Sequence, residues 1–383
     1  MEVLILLVMF IAAFIFQNYI LNKFASKNLF YECSFSQTEA VEGDDLYLYE
    51  AVQNRKLLPV PWLKVDIHSS RWLDFAEKNS VITQENRRIS SSFVVGPRKK
   101  LTRRWKVKCL KRGVYNIENV TLIWGDLFGI SESSEAKAVN ARLIVYPEPL
   151  NLENLLTPVN YIQGDTVVKR WIVDDPFYTA GIREYQPGDS MKRINWYATA
   201  KTGRILVRKN DFTSQLKMSV ILNIQSDEFE YGRIIDRDMI EFGIKIAAAL
   251  FERASRMGIP AAFATNGFVY DEPDRCISTE FSSSKDHISF LVTLLAKLQI
   301  QKIKDFNGFF DELYGHVSDS ETIIITSYLN DSICNTARNM HRLGNHIKVF
   351  VLDAFIDTKQ IPGDIDIYIL SGAGEKKFDY EQN

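Results

Sequence analysis

The stretch Met218-Ser-Val-Ile-Leu-Asn-Ile224 decides the fold of the C-terminal half, because it is an almost purely apolar run of strand length. A helical pattern follows over residues 236–257, with apolar residues at steps of three and four, and Gly258 ends it. A second apolar run, Ile259–Thr265, comes directly afterwards. Apolar strands that alternate with amphipathic helices are typical of a parallel sheet with helices on both faces.

The same alternation continues to the end of the chain. Apolar runs recur at Thr322–Thr326, Ile347–Asp353 and Ile365–Leu370. Helical patterns precede or separate them, from about Lys285 to Leu298 and from about Asp331 to Leu343. The sequence therefore predicts a doubly wound, mostly parallel α/β domain over residues 216–373, followed by a polar tail over residues 374–383.

Residues 28–150 have a different period. Several short segments, such as Leu46–Val52 and Leu101–Leu110, alternate apolar and polar residues, and turn formers such as Glu42-Gly-Asp-Asp45 lie between them. No long amphipathic helix pattern interrupts these segments. A small antiparallel β-sandwich is the expected solution for many short, half-buried strands.

The N-terminus begins with an uncharged run from Val3 to Asn22. About twenty helical residues cover about 30 Å, the thickness of a bilayer core. A cleaved signal peptide is the alternative, but Glu2 stands where such peptides carry Lys or Arg, and no small-residue cleavage site precedes Lys23. The run predicts a transmembrane anchor over residues 3–22. Lys23 and Lys27 after the span predict a single-pass protein of the cell membrane with its soluble domains in the cytoplasm.

Composition excludes several classes of function. The 383 residues are 46% hydrophobic and 25% charged with a net charge of −2, which gives no overall attraction for nucleic acid. The four cysteines are widely separated and form no CxxC pair, which argues against a disulfide framework and a thiolate zinc site. We therefore expect no metal, no cofactor and no nucleic-acid partner.

The connector over residues 151–215 fits neither pattern, and it contains the densest group of charged, aromatic and turn-forming residues. This segment reads Gly181-Ile-Arg-Glu-Tyr-Gln-Pro-Gly-Asp-Ser-Met-Lys-Arg-Ile-Asn-Trp196 and continues to Arg208. It resembles the signature of DUF58, a bacterial family of uncharacterised function. The matching positions are Arg183, Tyr185, Gly188, Asp189, Ile194, Trp196, Ala200, Leu206, Val207 and Arg208.

The resemblance implies a von Willebrand factor A-like α/β domain after the signature. It also implies an assembly role beside a MoxR-type AAA+ ATPase and neighbouring membrane proteins. Von Willebrand A domains often hold a divalent cation through Asp-x-Ser-x-Ser after the first strand. The matching positions here read Asn223-Ile-Gln225-Ser-Asp227, which lack the first carboxylate and both hydroxyls. Because hard cations need compact anionic oxygen ligands, we expect this metal site to be degenerate.

Two interpretations of the signature remain open. In one, Arg183, Tyr185, Gly188, Asp189, Ile194 and Trp196 form a structural clamp, in which Asp189 accepts backbone hydrogen bonds or pairs with Arg183 and Trp196 covers the network. In the other, the segment is a binding surface for an acidic or phosphorylated partner. In both, the residues expected to touch a partner are Lys192, Arg193, Lys201 and Arg204.

The signature lacks the residue types that catalysis usually requires. It contains no histidine or cysteine, and neither Ser190 nor Thr202 has an evident base nearby. We therefore expect a non-catalytic membrane-anchored interaction or assembly protein without catalytic residues. The alternative is an enzyme that acts on a phosphate-bearing or acyl substrate through the basic signature cluster.

Overall fold

The computed structural model of the protein describes residues 5–10, 25–76, 80–125, 132–152, 156–158, 182–185, 194, 196–208, 217–230, 234–313, 320–353 and 365–370. The chain divides into two compact units. The first contains Met1–Glu148 and Val292–Leu298, and the second contains Pro149–Leu291 and Gln299–Asn383.

Two β-sheets form the first unit. Their strands are β1 (Leu29–Phe35), β2 (Glu39–Val41), β3 (Asp45–Asn54), β4 (Val60–Ser70), β5 (Leu73–Phe75), β6 (Ser80–Thr83), β7 (Asn86–Val95), β8 (Lys100–Cys109), β9 (Gly113–Gly125) and β10 (Glu132–Tyr146). A four-stranded sheet has the order β1-β3-β8-β5, and a six-stranded sheet has the order β2-β10-β9-β4-β7-β6. All neighbouring strands are antiparallel except β2 and β10, which are parallel.

Period-two alternation builds the core between these sheets. In β3, Leu46, Leu48, Glu50 and Val52 point inward and are buried, while the residues between them face outward. Glu50 is the exception to an apolar core, since it carries a carboxyl group with no exposed surface. Its Oε1 accepts hydrogen bonds from Ser91 Oγ (2.7 Å) and Tyr31 Oη (3.2 Å), and its Oε2 accepts one from Trp105 Nε1 (3.0 Å).

The remaining elements follow in chain order: β11 (Leu156–Pro158), β12 (Ile182–Glu184), α2 (Trp196–Thr202), β13 (Leu206–Arg208), β14 (Met218–Leu222), α3 (Arg237–Met257), β15 (Ala261–Thr265), β16 (Gly267–Val269), β17 (Ile277–Ser278), α4 (Lys285–Lys297), β18 (Leu298–Lys302), α5 (Phe306–Leu313), β19 (Glu321–Thr326), α6 (Asp331–Arg342), β20 (His346–Val351) and β21 (Asp366–Leu370). Residues 5–10 form a short helical segment, α1.

A seven-stranded sheet organises the second unit, with the order β11-β21-β20-β19-β14-β15-β17. The five central strands are parallel, and β11 and β17 run antiparallel at the two edges. Every residue of β14 and β15 is buried, as expected for parallel strands that are covered on both faces.

Helix α3 packs closely on this sheet. Asp236 caps its start by accepting a hydrogen bond from Met239 N (2.9 Å), and Gly258 ends it in the left-handed conformation at φ 67°. At Gly243, an added Cβ would lie 3.0 Å from Leu352 Cδ1 and 3.1 Å from Leu222 Cδ1. The glycine therefore allows the helix to approach the strands more closely than alanine would.

The predicted fold class is wrong in two respects. Among the described residues, no helix is long and apolar enough to cross a membrane, and only residues 5–10 of the predicted span at 3–22 are described. The single-pass anchor is therefore not supported. The described residues are also mostly β, with 47% of them in strands that form several sheets. Cross-strand hydrogen bonds extend strands through polar residues, as in β9 (13 residues) and β10 (15 residues), which an apolar pattern underestimates.

Candidate functional site

The carboxyl ends of the parallel strands form one candidate site. The strand order reverses at β14, because β15 lies on one side of it and β19 on the other. Open α/β sheets bind ligands at such a reversal, in the crevice beyond the strand ends. Asn223 follows β14, Asn266 follows β15 and Thr326 ends β19.

Asn223 is fully buried at this position, and its amide group is already engaged. Its Nδ2 donates to Thr326 Oγ1 (3.1 Å), and its Oδ1 accepts from the Gln225 backbone N–H (2.9 Å). The Thr326 hydroxyl in turn donates to the Tyr328 carbonyl (2.9 Å). The polar atoms between β14 and β19 therefore join the two strand ends to each other.

Two further amide side chains fix the neighbouring loops. Asn266 Oδ1 accepts from the Ile224 backbone N–H (2.9 Å), and its Nδ2 donates to the Lys304 carbonyl (3.2 Å). Gln225 Oε1 accepts from the Phe306 backbone N–H (2.6 Å) at the start of α5. Sequence reasoning missed Asn266; the signal for it was an asparagine directly after the second apolar run.

Glu230 holds the loop that joins β14 to α3. It is buried, and its carboxylate accepts from the backbone N–H of Ser226 (3.1 Å), the Ser226 hydroxyl and the backbone N–H of Ile235 (2.6 Å). Lys302 Nζ donates to the Glu230 carbonyl (2.7 Å) and to Asp305 Oδ1 (2.6 Å). The Glu230 carboxylate thus fixes the backbone of this loop, because both of its oxygens accept hydrogen bonds from groups of the protein.

The residues at the strand ends do not fit a divalent cation of the von Willebrand A kind. Asn223 and Thr326 are neutral and bonded to protein groups, and within the described ranges no three His, Cys, Asp or Glu side chains are grouped to hold a metal. Burial, followed by the nearby carboxylates of Glu228, Asp305 and Glu230, raises the pKa of Tyr328 to about 12, which disfavours a phenolate oxygen ligand at this position. The side chains at the two strand ends are therefore an amide and a hydroxyl, whereas a divalent cation needs carboxylates.

The signature segment builds a second candidate site. Strands β12 and β13 pair antiparallel, so that Arg183 lies opposite Val207 and Glu184 opposite Leu206. Helix α2 precedes β13, and the Thr199 hydroxyl accepts from the Leu206 backbone N–H (3.1 Å). Gly203 ends the helix with φ 71°, a conformation that suits glycine.

Apolar and basic side chains are exposed around this turn. Trp196 is 66% exposed, Tyr197 81% and Ile205 49%. Lys201 is exposed, and Arg204 Nη1 lies 2.7 Å from Glu184 Oε1, an ion pair that raises the pKa of the guanidinium. We call Trp196, Tyr197, Lys201, Arg204 and Ile205 the signature surface. Sequence reasoning missed Tyr197 and Ile205, although both flank residues that it identified.

The structure describes part of the predicted clamp. Ile194 is buried, and the Tyr185 backbone N–H donates to the Ile205 carbonyl (2.9 Å). Trp196 is 66% exposed, and the polar groups that the clamp interpretation expects it to cover are not among the described residues, so the clamp stays a prediction. Gly188, Asp189, Lys192 and Arg193 lie outside the described residues, as does the side chain of Arg183.

Comparison with known proteins identifies the signature region. The family model described as "Protein of unknown function DUF58" matches residues 181–354. No curated protein sequence matches the chain.

Several solved structures match about 30% of the chain. A CARDB domain from Pyrococcus furiosus is 16% identical and covers 30% of this chain and 91% of its own, with a TM-score of 0.21. A non-cellulosomal cohesin from Archaeoglobus fulgidus is 13% identical, and the match covers 32% of this chain and 94% of the cohesin, with a TM-score of 0.21. The sporulation control protein Spo0M from Bacillus subtilis is 13% identical, and the match covers 31% of this chain and 49% of Spo0M, with a TM-score of 0.18.

Proposed function

We propose that this chain, a DUF58 protein by its match over residues 181–354, is a non-catalytic interaction or assembly protein. Its proposed partner is an AAA+ ATPase of the MoxR type. The observation that carries the proposal is the signature surface, which exposes two aromatic rings beside two basic side chains. Trp, Tyr and Arg are the residues that most often dominate the binding energy of protein interfaces.

The signature surface is also held in place before any partner arrives. The β12–β13 ladder, the Thr199–Leu206 hydrogen bond and the Glu184–Arg204 ion pair all fix the turn that carries it. A surface that is already ordered loses less conformational entropy on binding. This favours recognition of a protein partner over a purely structural role for the exposed rings.

We further propose that the second unit is a degenerate von Willebrand A-like domain. When β14, β15, β17, β19, β20 and β21 are numbered one to six, their order in the sheet is 3-2-1-4-5-6, with the third strand antiparallel. The neutral bonds of Asn223 and Thr326 favour partner binding that does not require a cation. The signature surface, which includes Lys201 and Arg204, then supplies the charge for recognition.

The aromatic part of the proposal is tested by binding between the full chain and a purified MoxR-type ATPase. Replacing Trp196→Ala together with Tyr197→Ala should weaken Kd by about tenfold or more, because buried aromatic anchors contribute at least about 1.4 kcal/mol. Tyr270→Ala is the matched control, since Tyr270 is 80% exposed outside the signature surface. Equal Kd values for all three proteins would overturn the proposal.

The basic part is tested by charge reversal. Lys201→Glu and the pair Lys192→Glu with Arg193→Glu should each weaken ATPase binding without lowering the thermal midpoint. Loss of binding only together with loss of folding would instead favour a structural clamp. Turnover of a phosphate-bearing or acyl substrate by the full chain, lost in Asp189→Asn, would replace the interaction proposal with an enzymatic one.

A further inference from the structure

The outward face of the four-stranded sheet combines aromatic and basic side chains. Period-two alternation places Tyr47 and Tyr49 of β3 on this face, and Phe30 of β1 lies on the same face opposite Gln53. The facing strand β8 contributes four cations: Lys100, Arg104, Lys106 and Lys108. We call these seven residues the basic sheet face. The register places Tyr47 opposite Lys106 and Tyr49 opposite Arg104.

The charges of the basic sheet face do not balance. Lys106 pairs with Asp45 (2.8 Å) and Lys100 pairs with Glu32 (3.6 Å). Within the described part of the chain, Arg104 and Lys108 form no ion pair within 4.0 Å, although both are exposed. Lys108 does lie opposite two carboxylates: Asp74, which pairs with Arg87 (2.7 Å), and Asp45, whose pKa is lowered first by Lys106 and then by Lys108. Lys106 and Lys108 thus share one carboxylate, and Arg104 is the exposed cation that is available to a partner.

The aromatic rings orient the available guanidinium. The Arg104 Cζ lies 4.5 Å from the centroid of the Tyr47 ring, and Tyr47 is 36% exposed. Stacking on a ring uses only the face of the guanidinium. The N–H donors at its edge therefore remain able to form a bidentate pair with a carboxylate. Tyr49, at 39% exposure, lies on the same face and offers an apolar contact beside this donor set.

We propose that the basic sheet face binds an extended acidic segment of a partner protein. Arg104 and Lys108 are four residues apart on one strand, so their Cα atoms are separated by about 13 Å. An extended peptide with carboxylates at positions i and i+4 matches this distance. An apolar side chain at i+2 lies on the same side of the peptide and covers Tyr47 and Tyr49. None of the residues of the basic sheet face belongs to the signature surface, so the inference does not depend on the proposed ATPase contact.

Charge distribution favours a peptide over a nucleic acid. Glu32 and Asp45 place carboxylates among the cations of the face. A phosphate backbone carries a charge at every nucleotide and would meet both carboxylates, whereas a peptide can place neutral residues beside them. Nucleic-acid binders also keep one sign of charge along the whole groove.

Fluorescence anisotropy with the full chain tests this inference. The probe is a fluorescein-labelled peptide with the central sequence Glu-Thr-Leu-Thr-Glu, and the reference peptide carries Gln in place of both Glu residues. At low ionic strength, the acidic peptide should bind at least about tenfold more tightly than the Gln peptide. Equal affinity of the two peptides, or no binding of the acidic one, would overturn the inference.

Paired charge reversals locate the binding surface. Arg104→Glu with Lys108→Glu should weaken binding of the acidic peptide by about tenfold or more, whereas Arg88→Glu with Arg142→Glu should change it by less than about twofold. The second pair is matched because it makes the same charge change on exposed positions of the six-stranded sheet. Equal losses in both pairs would show non-specific attraction and overturn the inference.

Two further measurements keep the result decisive. Arg104→Gln removes the available cation with a smaller perturbation than charge reversal, and it should weaken acidic-peptide binding if that variant keeps the thermal midpoint of the natural chain. A single-stranded oligothymidine is the competing ligand. Tighter binding of that oligonucleotide than of the acidic peptide, lost with Arg104→Glu and Lys108→Glu, would assign the face to nucleic acid instead.

Discussion

The core of the β-sandwich and the carboxyl edge of the parallel sheet both bury a polar side chain completely, but they use different chemistry. Glu50 in the sandwich and Asn223 at the sheet edge each have no exposed surface. Glu50 is an acid that accepts three hydrogen bonds from neutral side chains. Asn223 is an amide that both donates and accepts. Both groups are satisfied, yet only one of them can change its charge with pH.

That difference determines which region responds to pH. Burial raises the pKa of Glu50 despite the hydrogen bonds from Ser91, Trp105 and Tyr31, which lower it. Burial, followed by the Glu50 carboxylate, also raises the pKa of Cys33 to about 12. The amides at the sheet edge have no comparable titration. We therefore expect proton binding to affect the sandwich through Glu50 and to leave the Asn223 network unchanged.

The largest effect is expected for Glu50→Ala. This change leaves the hydrogen-bond donors of Tyr31, Ser91 and Trp105 without their acceptor in the buried core, which should lower the free energy of unfolding by about 3 kcal/mol. Urea unfolding followed by tryptophan fluorescence measures it. Glu32→Ala on the neighbouring strand is the control, because that side chain is 77% exposed. Similar urea midpoints for both variants would show that the network contributes little.

Asn223→Asp should make the stability of the sheet edge depend on pH, as Glu50 does for the sandwich. The new carboxylate would be buried without a cation, so stability at neutral pH should fall by about 2 kcal/mol and recover as the acid is protonated at lower pH. The exposed Asn335→Asp in α6 is the matched control. If the two variants have the same pH profile, Asn223 does not lie in a site that excludes charge.

A smaller effect, specific to the sandwich, is expected in the pH dependence of the natural chain. Because folding raises the pKa of Glu50 above the 4.5 of a free glutamate, the folded state holds this proton more tightly than the unfolded state. The contribution of Glu50 to stability is complete below about pH 4.5 and decreases as pH rises toward the folded pKa, by up to about 1.4 kcal/mol per pH unit.

Glu50→Gln isolates that contribution, since it removes the titration. The difference in unfolding free energy between the natural chain and this variant should change with pH above 4.5 in the direction that disfavours the natural chain. A difference that is constant between pH 4 and pH 8 would contradict the expected coupling, because the shifted proton equilibrium must appear in that interval.

At the sheet edge, the addition of Mg²⁺ or Mn²⁺ should have no effect on the natural chain. The donor atoms of Asn223 and Thr326 are neutral and already bonded, so isothermal titration should detect no micromolar binding. Micromolar binding that disappears in Asn223→Ala would show that the amide edge does accept a cation after all.

The smallest change is expected at the surface. Arg204→Gln removes an ion pair whose side chains are 75% and 64% exposed, so the thermal midpoint should not move measurably. The same variant should weaken ATPase binding, since Arg204 belongs to the signature surface. A clear fall in the thermal midpoint would show that Arg204 stabilises the fold and would argue against its place in the proposed interface.

Local patterns predicted much of the second unit. The helix expected over residues 236–257 is confirmed as α3, with Asp236 as its N-cap and Gly258 at its end. The apolar runs at Met218–Ile224 and Ile259–Thr265 contain β14 and β15. Helix α5 was missed, because its eight residues are too few to show a clear period in the sequence.

The predicted signature residues are less well explained by pattern. The density of charged and turn-forming residues located the segment, and the family model confirms that location over residues 181–354. Pattern did not show that Trp196 and Tyr197 are exposed, because a lone aromatic residue is compatible with either a covered network or an open surface. Exposure depends on the chain segments that pack around a residue.

The sequence alone determined which side chains of β3 share a face, because the period of a strand is two whatever its surroundings. Glu50 therefore lies on the same face as Leu48 and Val52. Only the tertiary structure decided what meets that carboxyl group, since its donors come from three other strands and Trp105 is 55 residues away. The same holds for Asn223, whose partner Thr326 is 103 residues distant. The period of a strand depends only on residues that are adjacent in sequence. A buried polar contact depends instead on which strands, distant in sequence, pack next to each other.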